Sequence, residues 1–502
     1  MGALCTADHI RARYSVPMRM FTTYANASDT ALAAALSEFE PSAFLLAADG
    51  GPAEATDAAD SAGSAIATLT IDPSRPRQPI DGFGASFTQA SAALIARLPS
   101  ATRSAVLTDL FSVRNGIGVS MLRQPIGPSD HVTRPYRFTR RRADMRLRSI
   151  DFSPEIREIL PLLLAARSIR AHSAPDGGPL NIIVSPWSAP AWMKTNRSVL
   201  GKRTFTRLTG YLRPRAYGAY AEYLIRFIEC YREAGLHVFG VTPTNEPDYP
   251  QSRWPSMAMT PAQQARFVAR FLAPCLRAHG LGDVRIMCWD HNYSTDHYPD
   301  GRFVRELYAD PRAYEAVAGS AWHYYGGASR TMSDIHRIWP DKGIWVTEAS
   351  GGDWGPRNWD DALVHTSARI VAMMNNWAQS AVLWNIALDE RGGPDYYYLR
   401  NDHRHSQNRG LLTIDTRSRT ITRNADYYIL AHFAKFVQPG SAVLTHTLRD
   451  AHGLHAAVFG TTDGRIAAVV TNERESPARL RIGGAIVRLP ARSLTTLCDI
   501  RR

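Results

Sequence analysis

From about residue 80 the apolar positions follow two alternating periods. Short runs of β-branched and aromatic residues, closed by Gly, Pro or polar side chains, are separated by longer stretches whose apolar residues recur every three or four positions. Eight such runs occur, at 80–86, 119–125, 180–185, 238–245, 284–290, 319–325, 344–348 and 381–385. Between the third and fourth, residues 215–234 carry Tyr220, Tyr223, Leu224, Phe227 and Ile228 on one helical face and stop before Gly235. Thr260 followed by Pro261 predicts another helix start, with threonine as the N-cap. Eight strands alternating with helices predict an α/β fold, the (β/α)8 TIM barrel.

Beyond about residue 440 the helical period stops. Strand-length runs at 443–448, 454–459, 466–472, 478–482, 485–489 and 493–498 are separated by turns and predict an appended antiparallel β-sandwich. Runs at 18–24 and 66–71 are expected to join it from the other chain end. Residues 47–64 are small and polar, too poor in apolar surface to offset their ordering entropy, and are expected to be a disordered loop. The chain is thus expected to divide into an N-terminal extension (1–16), N-terminal strands of the sandwich (17–79), the barrel (80–425) and the C-terminal sandwich (426–502).

Composition adds size and removes some partners. A chain of 502 residues, 45% of them hydrophobic, can bury a large core. The net charge of +12 comes mainly from scattered arginines; the local cluster at 134–148, centred on Arg140 to Arg142, reads as solvated surface, so no nucleic acid is expected as a partner. Five widely spaced cysteines (Cys5, Cys230, Cys275, Cys288, Cys498) give neither a disulfide framework nor zinc-site spacing. No membrane span is expected, and the first twenty residues, broken by Asp8, His9, Arg11 and Arg13, lack the apolar core of a secretory signal. Compartment and oligomeric state stay open.

The chemistry lies in two glutamates. Glu246 follows the fourth apolar run within TNEP, and Glu348 closes the seventh, so both are expected at the C-terminal mouth of the barrel, where such folds carry their reactive groups. Cleaving a glycosidic bond needs one carboxyl group to protonate the leaving oxygen and another to act at the anomeric carbon. Asn245, next to Glu246, can hydrogen-bond a sugar hydroxyl beside that centre.

With these residues in view, the chain resembles glycoside hydrolase family 30, the family of glucosylceramidase and related β-glycosidases. The likeness runs from about residue 18 to the C-terminus. It is carried by IDGFGASFTQAS (80–91), LRQPIGPSD (122–130), SPWSAPAWMKTN (185–196), WDHN (289–292), WHYYGG (322–327), WVTEASGG (345–352), LWNIALDERGGP (383–394) and YYILAHFAKFVQPG (427–440).

The resemblance implies a retaining double displacement with Glu246 as acid/base and Glu348 as nucleophile. It implies that Arg123 organises the site, that Asp130 binds substrate hydroxyls and that Trp187 walls the sugar. Asn292, His323, Tyr325 and Trp384 would line the same subsite, Tyr325 orienting the nucleophile's carboxylate. Glu246 is expected to have the higher pKa of the pair. No metal or organic cofactor is implied.

The resemblance leaves the substrate to the rim, at 248–257 and 395–407. The WDHN and HYYGG segments look closest to glucosylceramidases and β-1,6-glucanases. The preferred substrate is accordingly a β-glucoside, glucosylceramide-like, with endo-β-1,6-glucanase as the alternative and β-xylosidase or β-fucosidase behind it. A catalytically silent carbohydrate-binding protein is disfavoured because both carboxylates are present.

Overall fold

The computed structural model describes residues 18–24, 37–39, 45–46, 66–139, 143–202, 208–352, 359–397 and 406–500. The expected extension at 1–16, the loop at 47–64, the arginines at 140–142 and residues 398–405 of the rim lie outside the described residues.

Eight parallel strands close into a barrel: β1 (Gly82–Ser86), β2 (Met121–Pro125), β3 (Asn181–Ser185), β4 (His237–Val241), β5 (Arg285–Asn292), β6 (Gly319–His323), β7 (Gly343–Ala349) and β8 (Ser380–Leu383). Each expected run forms its strand, with ends shifted by a few residues. The largest shift is in β4, which stops at Val241 because Pro243 has no N–H to continue the ladder. Glu246 therefore sits in the following loop rather than at the end of the strand.

Alternation along the strands fills the barrel in layers. Met121, Ile183, Phe239, Met287, Ala321, Trp345 and Val382 form a closed apolar plug inside it. Two residues further along, the same inward face carries Arg123 on β2, Ser185 on β3, His323 on β6 and Thr347 on β7. A polar layer thus rests on an apolar floor.

Outside the strands the helices pack through a continuous core. The helix Tyr217–Glu233 buries Tyr217, Tyr220, Tyr223, Leu224, Phe227, Ile228 and Tyr231 at helical spacing. It ends before Gly235, whose φ of +83° suits glycine. The next connection starts with the expected cap: Thr260 Oγ1 accepts from the Gln263 N–H at 3.3 Å, and Gln263 Oε1 accepts from the Thr260 N–H at 2.9 Å.

Both chain ends build one ten-stranded sheet. Its order is Ser37–Phe39, Arg19–Tyr24, Ser493–Cys498, Ile466–Asn472, Leu454–Gly460, Ala442–Arg449, Ala67–Pro79, Ala478–Ile482, Ala485–Leu489, Leu45–Leu46. All pairings are antiparallel except that of Ala67–Pro79 with Ala478–Ile482. The sheet has its own core, including Met20, Leu69, Val458, Val470, Leu480 and Leu497.

The buried helix Ala425–Ala434 ties this sheet to the barrel. Phe433 packs on Phe83 of β1 at 5.5 Å and on Phe459 of the sheet at 6.3 Å, while His432 bonds Thr496 at 2.8 Å and Thr23 at 3.0 Å. A three-stranded sheet of Ala387–Asp389, Leu412–Ile414 and Ile421–Arg423, absent from the sequence expectation, lies between β8 and that helix. No helix among the described residues is long and apolar enough to cross a membrane.

Candidate active site

The polar layer converges on Asp290, near the end of β5. One oxygen, Oδ2, accepts from Arg123 Nη2 at 2.9 Å and from Ser185 Oγ and Thr242 Oγ1, each at 2.7 Å. The other, Oδ1, accepts from Thr347 Oγ1 at 2.7 Å and lies 3.1 Å from His323 Nε2. Burial opposes the charge on Asp290, but Arg123, His323 and these donors hold its carboxyl well below the usual carboxylate range. Sequence reasoning did not single out Asp290. The available signal was an acid closing an otherwise apolar run, Ile286 to Trp289, inside the WDHN segment.

Arg123, fully buried on β2, turns that fixed charge outward. Its Nη1 donates to Glu348 Oε2 at 2.5 Å and its Nη2 to Asn245 Oδ1 at 2.6 Å. The expected organising arginine thus links β2 to the loop carrying Glu246 and to the strand carrying Glu348. With the Asn245 oxygen engaged, its side-chain amide N–H groups remain to donate.

Strict alternation would send Glu348 outward, since Thr347 points in. A register irregularity on β7, between the positions opposite Trp322 and His323, re-aims the strand. Thr347 can then bond Asp290 while Glu348, 7% exposed, reaches Arg123 and accepts from the Tyr325 hydroxyl at 3.0 Å. Tyr325 is itself 36% exposed and stands at the opening.

Glu246 is held by turns rather than by a strand. Its φ is +42°, a left-handed conformation costly for a residue with a Cβ, and its N–H is fixed on the Asp290 carbonyl at 3.0 Å. Its Oε1 lies 3.1 Å from His323 Nδ1 and 3.4 Å from His291 Nδ1. The same His323 Nδ1 is 3.9 Å from Glu348 Oε1. One imidazole nitrogen therefore stands between the two glutamates. His291, on β5, is a second residue that sequence reasoning missed.

These neighbours reverse the expected order of the two acids in the free protein. Burial works to raise Glu246, but the imidazoles of His291 and His323 hold it well below the usual range. Burial raises Glu348; His323 and Arg123 oppose this, and the negative Glu246 and Asp130 add to it. For His323 burial acts downward, yet Glu348, Asp290 and Glu246 push it up to about 9. The physical reason is that two imidazoles reach Glu246, an approach made only in three dimensions.

The remaining expected residues flank this cluster. Trp187 and Trp384 stack at 4.9 Å and 21°, with the Arg123 guanidinium 4.7 Å over Trp187; the indoles are only 2% and 3% exposed. Asp130 accepts from Trp384, while its buried Oδ1 has no partner among the described residues, and burial raises its carboxyl to about 7. The buried Asn292 Oδ1 likewise has none among the described residues. Beside Asp130, Tyr249, Arg253, Trp254, Tyr396, Tyr397 and Ser406 line a groove of about 460 Å³.

Glu246, His291 and His323 bring ligand atoms within 4.8 Å of one another. His323 is engaged through both nitrogens by carboxylates and keeps its proton to about pH 9. That trio is suited to holding a proton rather than a cation.

The family model described as the glycosyl hydrolase family 30 TIM-barrel domain matches residues 80–437. The chain is 28% identical to an endo-1,6-beta-D-glucanase of Neurospora crassa, covering 81% of each protein. It is 27% identical to the lysosomal acid glucosylceramidase of Mus musculus, covering 82% of this chain and 79% of the relative. Among solved structures, the endo-beta1,6-glucanase BT3312 superposes with a TM-score of 0.79 at 27% identity, over 97% of this chain and 99% of the other.

Proposed function

The chain belongs to glycosyl hydrolase family 30, and from that premise we propose that it is a retaining β-glucosidase of double-displacement type. The observation that carries this reading is the placement of both glutamates around His323 Nδ1, at 3.1 and 3.9 Å. Their Oε1 atoms can be no farther apart than those two distances laid end to end. That bound admits the roughly 5–5.5 Å of a nucleophile and its acid/base, the arrangement of a retaining enzyme.

Glu348 is the nucleophile. Arg123 and Tyr325 bond one oxygen each, which fixes the carboxylate and lowers its charge until a bond to the anomeric carbon forms. Glu246 is the acid/base. Its proton is held on the hydrogen bond to His323 Nδ1 and passes to the departing glycosidic oxygen as the first bond breaks. In the second step Glu246 takes a proton from water, which attacks the same carbon and frees Glu348. Asp290 and Arg123 remain in place as fixed charges under both steps.

The glycone is read as glucose. Asp130 and Asn292, both partly exposed residues, bond its hydroxyls, and Trp384 backs the ring. For the other side of the bond we put β-1,6-glucan ahead of glucosylceramide, the reverse of the order the motifs suggested. A groove of aromatic and hydrogen-bonding side chains (Tyr249, Arg253, Trp254, Tyr397, Ser406) suits a second sugar, which stacks and bonds at once. Glucosylceramide remains the second reading, supported by the likeness to the mouse glucosylceramidase. Product analysis on β-1,6-glucan, glucosylceramide and aryl β-glucoside, β-xyloside and β-fucoside tests both levels. Glucose or gluco-oligosaccharide release is expected, fastest from the glucan; cleavage confined to xylosides or fucosides would overturn the reading.

A further inference from the structure

On the outside of the barrel, two helices on either side of Glu246 in the sequence bring a second set of chemistry together. The helix Tyr217–Glu233 carries Glu222, Arg226 and Glu229 at i, i+4 and i+7, along one stripe. Facing it is the segment Ala273–Ala278, with His279 at its C-cap, so Cys275 and His279 stand one turn apart on one face. A π turn at Val268–Leu272 precedes this segment; the extra residue rotates the following face by about 100° relative to an unbroken α-helix.

Three different ligand types meet there. Glu222 Oε2 lies 3.7 Å from Cys275 Sγ and 3.3 Å from His279 Nε2. Ligands around a tetrahedral ion with metal–sulfur bonds of about 2.3 Å and metal–nitrogen or metal–oxygen bonds of about 2.0–2.1 Å are separated by about 3.6 Å and about 3.3 Å for the same two pairs. The spacing already approximates that of a bound set.

A second observation is independent of the spacing. The other imidazole nitrogen, His279 Nδ1, is 2.8 Å from Glu229 Oε1. Carboxylates thus stand at both ring nitrogens; a cation replacing the proton between Nε2 and Glu222 Oε2 leaves Nδ1 donating to Glu229, the arrangement found behind histidines that ligate zinc. Arg226 takes the remaining oxygen of Glu222, Oε1, at 2.8 Å, which orients the carboxylate and leaves Oε2 turned to the thiol and imidazole. Two carboxylates against one guanidinium, beside the negative end of a helix, favour a cation.

We propose that Cys275, His279 and Glu222 form a binding site for a zinc-class divalent cation, with Glu229 positioning the imidazole and solvent completing the coordination. Thiolate and imidazole ligands select such an ion over magnesium or calcium. Binding exchanges the Cys275 S–H bond for a metal–sulfur bond and releases the proton to solvent, with no change in oxidation state. The ion would clamp the two helices that follow β3 and β4, adding stability without entering the reaction.

The test uses the full chain, stripped with a chelator and titrated with cobalt(II) or zinc(II) chloride. Expected are a thiolate-to-cobalt charge-transfer band and a zinc-induced rise in Tm. Cys275→Ser should abolish the band and weaken zinc binding by on the order of 10²-fold, and His279→Ala should weaken it comparably. Glu229→Gln should cost on the order of 10-fold. Turnover of an aryl β-glucoside should be unchanged in all three variants. Differences from the parent chain exclude binding at Glu246, His291 and His323. The proposal is overturned if the parent chain gives no cobalt–thiolate band, or if zinc affinity is the same in Cys275→Ser and His279→Ala as in the parent.

Discussion

His323 Nδ1 lies 3.1 Å from Glu246 Oε1, and the proton of the proposed acid/base sits on that hydrogen bond. Because its carboxylate neighbours push His323 up to about 9, the proton is present through neutral pH. Activity should therefore fall as pH rises through about 9. His323→Asn should lower kcat by on the order of 10²-fold and shift that basic limb, as read from pH profiles of kcat/KM. An unchanged limb in the variant would place the titrating group elsewhere. Folding follows the same sign. A raised histidine pKa gives stability that is complete below its ordinary 6.5 and lost as pH rises through about 9.

Removing either glutamate separates their roles. Glu348→Ala should lose nearly all turnover and regain part of it with azide, as an α-glucosyl azide, because the anion attacks from the face the carboxylate has vacated. Glu246→Ala should still react with aryl glucosides whose leaving group needs no proton, and should give the β-azide. Nuclear magnetic resonance of the azide products distinguishes them. Interchanged configurations would interchange the roles.

The partly exposed Asp130 carboxyl should matter most where the sugar has a hydroxyl to give it. Asp130→Ala is expected to cut kcat/KM for a glucoside by on the order of 10²-fold, and by much less for the deoxy substrate lacking that hydroxyl. Trp384→Ala should depress all sugars alike. Equal losses on the glucoside and its deoxy analogue would remove Asp130 from the sugar subsite.

Away from the site, Glu155 is buried with the Tyr231 hydroxyl 2.7 Å from Oε2, and burial raises it to about 8. The folded protein keeps this proton while the unfolded chain loses it near 4.5. Stability should thus fall as pH climbs from about 4.5 towards about 8, by up to a few kcal/mol. Glu155→Gln cannot ionise. Its Tm should match the parent below pH 4.5 and exceed it at pH 8; a variant less stable than the parent at pH 8 would contradict this.

How much of this was legible in the sequence follows from the range of each interaction. The barrel strands were readable because period and turn signals are local. Glu348 was correctly placed on its strand, whereas Glu246 lies five residues past β4, where Pro243 had ended the ladder. Arg123 was reached through the family resemblance. Asp290, its partner, was passed over as one residue of a strand, since its importance comes from donors on five different segments. The order of the glutamate pKa values was misread for a related reason: His291 and His323 belong to β5 and β6 and meet Glu246 only after the barrel closes. In the cluster of Cys275, His279 and Glu222 only the i, i+4 spacing of the first two is local; Glu222 joins them from another helix.

The stereochemistry of the first-formed product tests the central claim most directly. Proton nuclear magnetic resonance, recorded as an aryl β-glucoside is hydrolysed and before mutarotation, reports which anomer of glucose appears first. Double displacement through Glu348 gives the β-anomer, the result expected here; initial release of the α-anomer would mean direct attack by water and would contradict the account.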